Sequence, residues 1–237
     1  MKIVADLHTH TVASGHAYST VNELALAAAE KGLRGLALTD HGPALPGGPP
    51  RSHFGALRHI PPSIAGVRIF HGAEVNILNR EGWLDLDDAL LSELDFVLAG
   101  LHEGCGFCGR GIELNTRALL AVMENPRVSC IAHPGNPVFP LRHEEIVRGA
   151  FATGTALEIN NSSLGLSRQG SNGNCGEIAR LCAAIGTRVV VGSDAHIAQG
   201  VGNFAAALEL IGKAGIAEEQ VVNASWERLL AFLKREG

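Results

Sequence analysis

The motif Asp-Leu-His-Thr-His at residues 6–10 brings two histidines close together, and His16 follows six residues later. The apolar run at residues 3–5 predicts a short buried strand, so that His8 and His10 leave its end on one side. Neighbouring imidazoles are a common start of a metal site, because their nitrogens bind zinc, manganese or iron. One His-x-His pair is equally compatible with a polar turn, so the rest of the chain must decide.

Further residues of metal-binding type follow other predicted strands. They are His41, Glu74, His102, His133, Asp194 and His196. The strand ends of a closed parallel barrel meet at one mouth, whereas an open sheet would spread them along an edge. A catalytic zinc uses about three protein ligands. The set therefore predicts more than one metal ion at the mouth of a barrel.

Four other histidines fall in predicted loops, helices or strand interiors, and we expect structural roles for them. They are His53, His59, His71 and His143.

The elements that must position these side chains alternate between short apolar strands and helices about seven times, which predicts a parallel β/α barrel. The predicted strands cover residues 3–5, 35–39, 67–74, 96–100, 128–132, 156–159 and 188–191. The predicted helices cover residues 20–31, 54–58, 86–94, 115–124, 143–153, 177–185, 204–214 and 226–235, with a short turn at 218–222. No linker composition divides the chain, so we expect one domain over residues 1–237.

Composition limits the function classes. The net charge of -5 and pI near 6.1 argue against a dedicated nucleic-acid binder, which needs a basic face for phosphates. No apolar run approaches the roughly 20 residues of a membrane span, and no signal-peptide pattern is visible, so we expect a cytoplasmic location. The five cysteines do not suggest a disulfide framework, and Cys105-Gly-Phe-Cys108 lacks the second pair that would complete a zinc knuckle.

Taken together, the ordered motifs are similar to those of the PHP superfamily, named for polymerase and histidinol phosphatase. The similarity rests on the stretches 6–10, 39–42 (Thr-Asp-His-Gly), 72–74 (Gly-Ala-Glu), 132–135 (Ala-His-Pro-Gly) and 192–196 (Gly-Ser-Asp-Ala-His), with His16 and His102. It covers nearly the whole chain. The length, and residues 158–163 followed by Ser167 and Arg168, most resemble the stand-alone YcdX-type phosphatases of bacteria.

The resemblance implies a distorted seven-stranded β/α barrel with three divalent metal ions, with zinc as first choice and manganese or iron as alternatives. It assigns the first ion to His8, His10, Glu74 and Asp194. Glu74 would bridge to a second ion, held also by His102 and His133, and the third would fall to His16, His41 and His196. The loop at residues 104–111, with Cys105 and Cys108, has no match in the family pattern and leaves the substrate open.

The activity implied is that of a trinuclear-metal-dependent phosphoesterase acting on small-molecule phosphomonoesters. Two bridged metals lower the pKa of a shared water from about 15.7 toward 7, and the resulting hydroxide can attack phosphorus in line. We therefore predict catalytic roles for Glu74, Asp194, His10 and Arg168. Arg168, with Arg142, Asn161 and Ser163, is predicted to orient the phosphate. Asp6 and Asp40 are predicted to accept N–H groups of ligand histidines.

Three alternatives remain. A PHP exonuclease or phosphodiesterase acting on nucleic acid is disfavoured by the acidic charge, and a metal-stabilised binding module without turnover by the complete ligand set. An amidohydrolase-type barrel usually needs a modified lysine, and no lysine follows a predicted strand. We expect a small-molecule phosphate ester as the partner, with no nucleic acid and no membrane. The apolar face of the C-terminal helices fits either a homo-oligomer contact or packing on the barrel.

Overall fold

The computed structural model describes residues 1–107, 111–165 and 167–234 of the 237-residue chain. The strands in these ranges are β1 (Ala5–Asp6), β2 (Gly35–Leu38), β3 (Ser63–Ile64), β4 (Val67–Asn76), β5 (Phe96–Gly100), β6 (Cys130–Ile131), β7 (Ala156–Asn160) and β8 (Val189–Gly192). The α-helices are α1 (Val21–Glu30), α2 (Arg51–Ala56), α3 (Asp88–Leu91), α4 (Ile112–Met123), α5 (His143–Thr153), α6 (Ser171–Ile185), α7 (Ala205–Ala214) and α8 (Trp226–Leu233).

Seven strands form a parallel sheet in the order β1-β2-β4-β5-β6-β7-β8, and β3 adds a short antiparallel pair on β4. The sheet curls until β1 and β8 are neighbours. Near the bottom, the side-chain amide of Asn223 donates to the carbonyls of Ala5 (2.9 Å) and Val191 (2.7 Å). Near the top, Thr9 and Ala195 form an isolated parallel bridge. The predicted seven-stranded barrel is confirmed. The side chain of Asn223 connects β1 and β8, which do not pair with each other through their backbones.

Alternation along the strands divides the core into an inner and an outer part. On β5, Phe96 and Leu98 pack inside the barrel, whereas Val97 and Ala99 pack against the surrounding helices. The last helix, α8, joins the inner cluster through its buried apolar side chains, including Leu229. Packing on the barrel therefore accounts for the apolar face of this helix. The lower barrel is filled, which leaves the upper end for polar side chains.

The predicted elements are found, but several boundaries differ. The first strand, Ala5–Asp6, begins two residues later than predicted and ends one residue later, and β6 is only two residues long. Helix α6 begins at Ser171, six residues early, although Gly173 and Gly176 are poor helix formers. Packing explains this, since a Cβ at Gly135 would lie 2.3 Å from Sγ of Cys175 in the first turns. Close packing overrides the weak local preference.

Two further helix starts differ from the prediction. The helix predicted over residues 115–124 begins earlier, at Ile112, and the Asn115 amide inside it donates to the carbonyl of Pro140 (3.2 Å). Helix α2 begins directly after Pro50, before the predicted Phe54. Arg235, the predicted end of the last helix, lies outside the described residues.

None of the helices in the described ranges is long and apolar enough to cross a membrane.

Candidate metal centre

The first predicted ligand set forms a compact group at the barrel mouth. Nε2 of His8 lies 3.1 Å from Nε2 of His10, and both nitrogens lie 3.3–3.5 Å from Oε2 of Glu74 and Oδ1 of Asp194. Ligands placed about 2.0–2.1 Å from a tetrahedral zinc are about 3.3 Å from each other. The distances from the two histidine nitrogens therefore match the spacing that one zinc-sized ion requires.

The second predicted set lies on the other side of Glu74. Its Oε1 is 3.1 Å from Nε2 of His102 and 2.8 Å from Nε2 of His133, and the two ring nitrogens are 3.2 Å apart. The two oxygens of Glu74 thus face two different groups of histidines. This is the arrangement expected of a carboxylate that bridges two ions.

The third predicted set is looser and overlaps the first. Nε2 of His16 lies 3.0 Å from Nε2 of His196, and the ring centres of His16 and His41 are 5.1 Å apart. Nδ1 of His41, however, lies 2.9 Å from Oε2 of Glu74 without forming a hydrogen bond, and His10, His41 and His196 also form a group of metal-binding atoms within 4.8 Å. The structure brings all nine predicted ligands together, while the division into three sets stays a prediction.

Unpaired atoms test whether these residues fit a metal. Oε2 of Glu74, Oδ1 of Asp194 and Nδ1 of His41 are buried and have no hydrogen bond within the described ranges. A buried carboxylate oxygen without a partner is costly, and a cation removes that cost. The donors are imidazole nitrogens and carboxylate oxygens, which suit zinc, manganese and iron. The residues present therefore fit a divalent transition metal.

Burial keeps two of the histidines neutral. It lowers the pKa of His10 to about 3, with help from the charge of His41, and the pKa of His133 to about 4, with help from Arg168. Metals bind the deprotonated nitrogen, so these rings need not lose a proton first.

The carboxylates are held ionised. Burial by itself would raise the pKa of Glu74, but the charges of His8, His41 and His102 outweigh it and hold this pKa well below its usual range. For His8, burial acts to lower the pKa, and Glu158 with the other carboxylates raises it well above its usual value. A proton on His8 thus balances negative charge that a divalent cation would balance in its place.

Strained backbone marks the same region. Within the described residues, four non-glycine residues have a positive φ: Ala65, His133, Arg168 and Asp194. All but Ala65 belong to the predicted site. Such conformations cost about 1–3 kcal/mol each and persist where the surrounding structure enforces them.

Arg168 reaches the centre. Its guanidinium donates to Oδ2 of Asp194 at 2.8 Å and to Oγ of Ser163 at 3.2 Å. Arg142 and Asn161, which had been predicted beside it, have other partners. Arg142 pairs with Glu113 on the outer surface, and Oδ1 of Asn161 accepts the backbone N–H of Ala207 (3.1 Å). Neither side chain hydrogen-bonds a predicted ligand within the described ranges, and the role of these two residues in orienting phosphate stays a prediction.

Asp6 and Asp40 also differ from prediction. Asp6 accepts backbone N–H groups of Ser193 (3.1 Å) and Gly202 (2.9 Å) and so joins loops at the mouth. Asp40 accepts the hydroxyl of Ser14 (2.7 Å), whose Oγ lies 3.3 Å from Nδ1 of His10. Asp6 also accepts the backbone N–H of the predicted ligand His8 (3.4 Å). The prediction that the two carboxylates accept a ring N–H is wrong, and Asp40 reaches the ring of His10 only through Ser14.

Sequence reasoning missed two residues that do contact ligand rings. Oδ1 of Asn76 lies 2.7 Å from Nδ1 of His102, and Oε1 of Glu158 lies 2.6 Å from Nδ1 of His8. Both are polar residues within buried strands, β4 and β7. Glu158 lies inside the predicted strand 156–159, where a carboxylate needs a partner, so this residue could have been found from the sequence. Asn76 lies beyond the predicted strand end at residue 74, and only the structure extends β4 to it.

Of the other histidines and cysteines, His53 and His143 lie outside this cluster, and Cys105 lies behind it. His53 is 3.2 Å from Oδ2 of Asp40, and His143 pairs with Glu177. Sγ of Cys105 donates to Oδ1 of Asn76 (3.2 Å), behind His102, so the unmatched loop does border the site. Cys108 lies outside the described residues.

Comparison with known proteins decides the family. Residues 6–129 match the PHP domain family. The chain belongs to the PHP family. The predicted membership is confirmed, and the match begins at the His-x-His motif with which the site begins.

Relatives match over the full length of this PHP chain. A probable phosphatase of Syntrophotalea carbinolica is 54% identical over 233 residues, covering 98% of this chain and 97% of the relative. One from Thermoanaerobacter sp. is 45% identical over 236 residues, covering 100% and 96%. Among solved structures, histidinol phosphate phosphatase of Lactococcus lactis, complexed with zinc, L-histidinol and phosphate, has a TM-score of 0.59 at 18% identity over 92% of this chain and 95% of that one. At that identity the likeness shows a shared fold.

Proposed function

We propose that this chain is a metal-dependent phosphatase that hydrolyses small-molecule phosphate monoesters with three divalent ions at the barrel mouth. The observation that carries the proposal is the two-sided environment of Glu74. One oxygen faces His8 and His10 and the other faces His102 and His133, at 2.8–3.5 Å. A carboxylate so placed can hold two ions at the separation used by two-metal phosphoryl-transfer sites.

The relatives support the same activity. The full-length relatives are named probable phosphatases, and the Lactococcus neighbour was solved with zinc and phosphate. We carry both features over as part of this proposal, with zinc as first choice and manganese or iron as alternatives.

Divalent ions held here would activate a water toward phosphorus and neutralise the charge on the phosphoryl oxygens. The protein's own task is positioning. Asn76 and Ser14 hold the rings of His102 and His10 from behind. Arg168 lies at the edge of the centre on Asp194 and can turn its remaining N–H groups toward a phosphate.

Access and charge favour a small substrate. The inner ligands are buried, whereas His16 is exposed and His196 is half-buried, so an ester would approach from their side. The net charge of -5 works against a long polyanion such as DNA. As part of this proposal, the activity belongs to a single domain over residues 1–237 and to the cytoplasm.

The first experiment is metal analysis of purified protein, combined with hydrolysis of a generic phosphomonoester before and after chelation. We expect about three ions per chain, with activity lost on chelation and restored by zinc or manganese. Single-stranded DNA serves as a parallel substrate. Turnover of DNA alone would favour the exonuclease alternative, and bound metal with no turnover of either substrate would favour a binding module.

A further inference from the structure

Glu158 is a carboxylate in the middle of β7, with only 3% of its surface exposed. Alternation along the strand turns it inward with Ala156, which belongs to the inner core. A buried charge of this kind is strongly destabilising unless it is paired and hydrogen-bonded. The role of Glu158 can therefore be inferred from its hydrogen-bond partners.

The two oxygens of Glu158 contact ligands of both the first and the second predicted set, which we call the inner sets. Oε1 lies 2.6 Å from Nδ1 of His8, and Oε2 accepts the backbone N–H of His133 at 2.8 Å. Oε2 also accepts the amide of Asn160 (3.1 Å), and that amide donates in turn to Oδ2 of Asp194 (3.2 Å). One carboxylate thus joins three predicted ligands that follow three different strands, two of them directly and Asp194 through Asn160.

Gly192 on β8 provides the space for the contact between Glu158 and His8, because it has no side chain. A Cβ at Gly192 would lie 2.2 Å from Oε1 of Glu158 and 2.8 Å from Cβ of His8. Any side chain at this position of β8 would separate the carboxylate from the ring.

Each contact has a separate consequence for its ligand. Nε2 of His8 faces the other ligands of the first set, so a metal there requires the ring proton on Nδ1, where Glu158 accepts it. His133 has a φ of +32°, and the bond from its N–H to Glu158 holds that strained backbone.

We propose that Glu158 is a positioning residue that sets the ring proton of His8 and the backbone of His133, and so couples the two inner metal positions. The inference rests on the proposed metal centre. It goes beyond it by giving one residue control over ligands of both inner ions.

Glutamine is the sharpest replacement because it keeps the shape. The backbone N–H of His133 and the amide of Asn160 both require an acceptor, which directs the glutamine oxygen toward them. Its NH₂ group then faces Nδ1 of His8 and drives the ring proton to Nε2, the nitrogen that a metal needs. The opposite orientation leaves the His133 N–H without an acceptor. In the first orientation His8 has the wrong ring nitrogen protonated, and in the second the backbone of His133 loses its support. Because both inner sets share Glu74, weaker binding of one ion also weakens binding of the other.

The test measures zinc release from Glu158→Gln. Wild-type and variant proteins are loaded with zinc and dialysed against rising concentrations of a chelator, and bound zinc is measured at each step. Thermal unfolding of the metal-free proteins is recorded in parallel. The matched control is Glu177→Gln, which alters a glutamate that pairs with Nδ1 of His143 at 2.8 Å outside the site.

We expect the last two ions to leave Glu158→Gln at an about 10–100-fold lower chelator concentration, with Glu177→Gln like wild type. Release of these ions as in wild type, or a lower unfolding temperature with unchanged release, would overturn the inference. Wild-type protein that binds zinc but hydrolyses no phosphate ester would contradict the proposed function and leave this inference standing.

Discussion

The candidate metal centre has an inner part, formed by the first and second predicted ligand sets, and an outer part, formed by His16 and His196. The two parts differ in how far their side chains are buried. The inner ligands His8, His10 and Glu74 are fully buried, and most inner rings have a polar partner behind them. The outer pair differs, because His16 is exposed and the side chain of His196 is 30% exposed. The comparison indicates that buried contacts hold the inner part in place, while the outer part faces solvent.

The outer part is also carried by loops. His16 follows the 3-10 helix Val12–Ser14 and is tied to His196 through the backbone bond from Tyr18 N–H to the His196 carbonyl (2.7 Å). Elements with exposed backbone hydrogen bonds open more easily than buried strands. We therefore expect metal removal to begin at the outer part.

Glu74→Ala should have the largest effect, because it removes the carboxylate on which both inner sets converge. We expect kcat/KM to fall by about 10³-fold or more, with loss of at least two ions, measured by kinetics and metal analysis. Glu113→Ala, on the outer surface, serves as the control. Activity retained within a few-fold would rule out the bridging role.

His16→Ala should act on the outer part alone. We expect a folded protein with about two of three metal ions and a kcat about 10²-fold lower, since the inner ligands are untouched. Metal content and rate measured on the same samples check this, with the exposed His59→Ala as control. Loss of all three ions would erase the distinction between inner and outer parts.

Arg168→Met should mainly weaken substrate binding. Loss of a charge-assisted contact to phosphate is worth about 1.5–3 kcal/mol, so KM should rise by about tenfold or more with metal content unchanged. Arg142→Met is the matched control, because Arg142 pairs with Glu113 at the surface. Equal kinetic constants for the two variants would remove Arg168 from the substrate site.

Gly15→Ala should give the smallest effect and sharpen the role of the loop. Gly15 has a φ of +78°, and a Cβ there would lie 2.4 Å from the carbonyl oxygen of Gly47, so the turn that carries His16 must shift. Gly32 has a φ of +69° with nothing within 4 Å, so Gly32→Ala shares the backbone cost of about 1 kcal/mol without the clash. We expect only Gly15→Ala to weaken binding of the outermost ion, by a few-fold in a chelator titration. Identical metal binding in both variants would show that the turn does not position His16.

The sequence predicted the barrel and the cluster for one reason. Apolar runs of strand length mark the strands, and residues such as His41 and Glu74 directly follow or end them, where a barrel brings strand ends together. It failed where the answer depended on packing. Helix α6 begins before Gly173 and Gly176, which the sequence did not predict. The early start depends on the close packing of Cys175 against Gly135, residues that are 40 positions apart in the chain. The sequence also could not distinguish Arg142 from Arg168, because both follow predicted strands. The structure distinguishes them, since Arg168 contacts Asp194 and Arg142 pairs with Glu113.

The amino-acid sequence by itself determined which residues of ligand type follow the buried strands, and in what order. The strands can be predicted because their apolar runs involve only neighbouring residues. The barrel itself decided which oxygen of Glu74 faces which histidines, and that Glu158 contacts both His8 and His133. Those contacts join residues 25 to 150 positions apart in the chain. Distances of that kind are set by how the sheet closes, and no local pattern in the sequence encodes them.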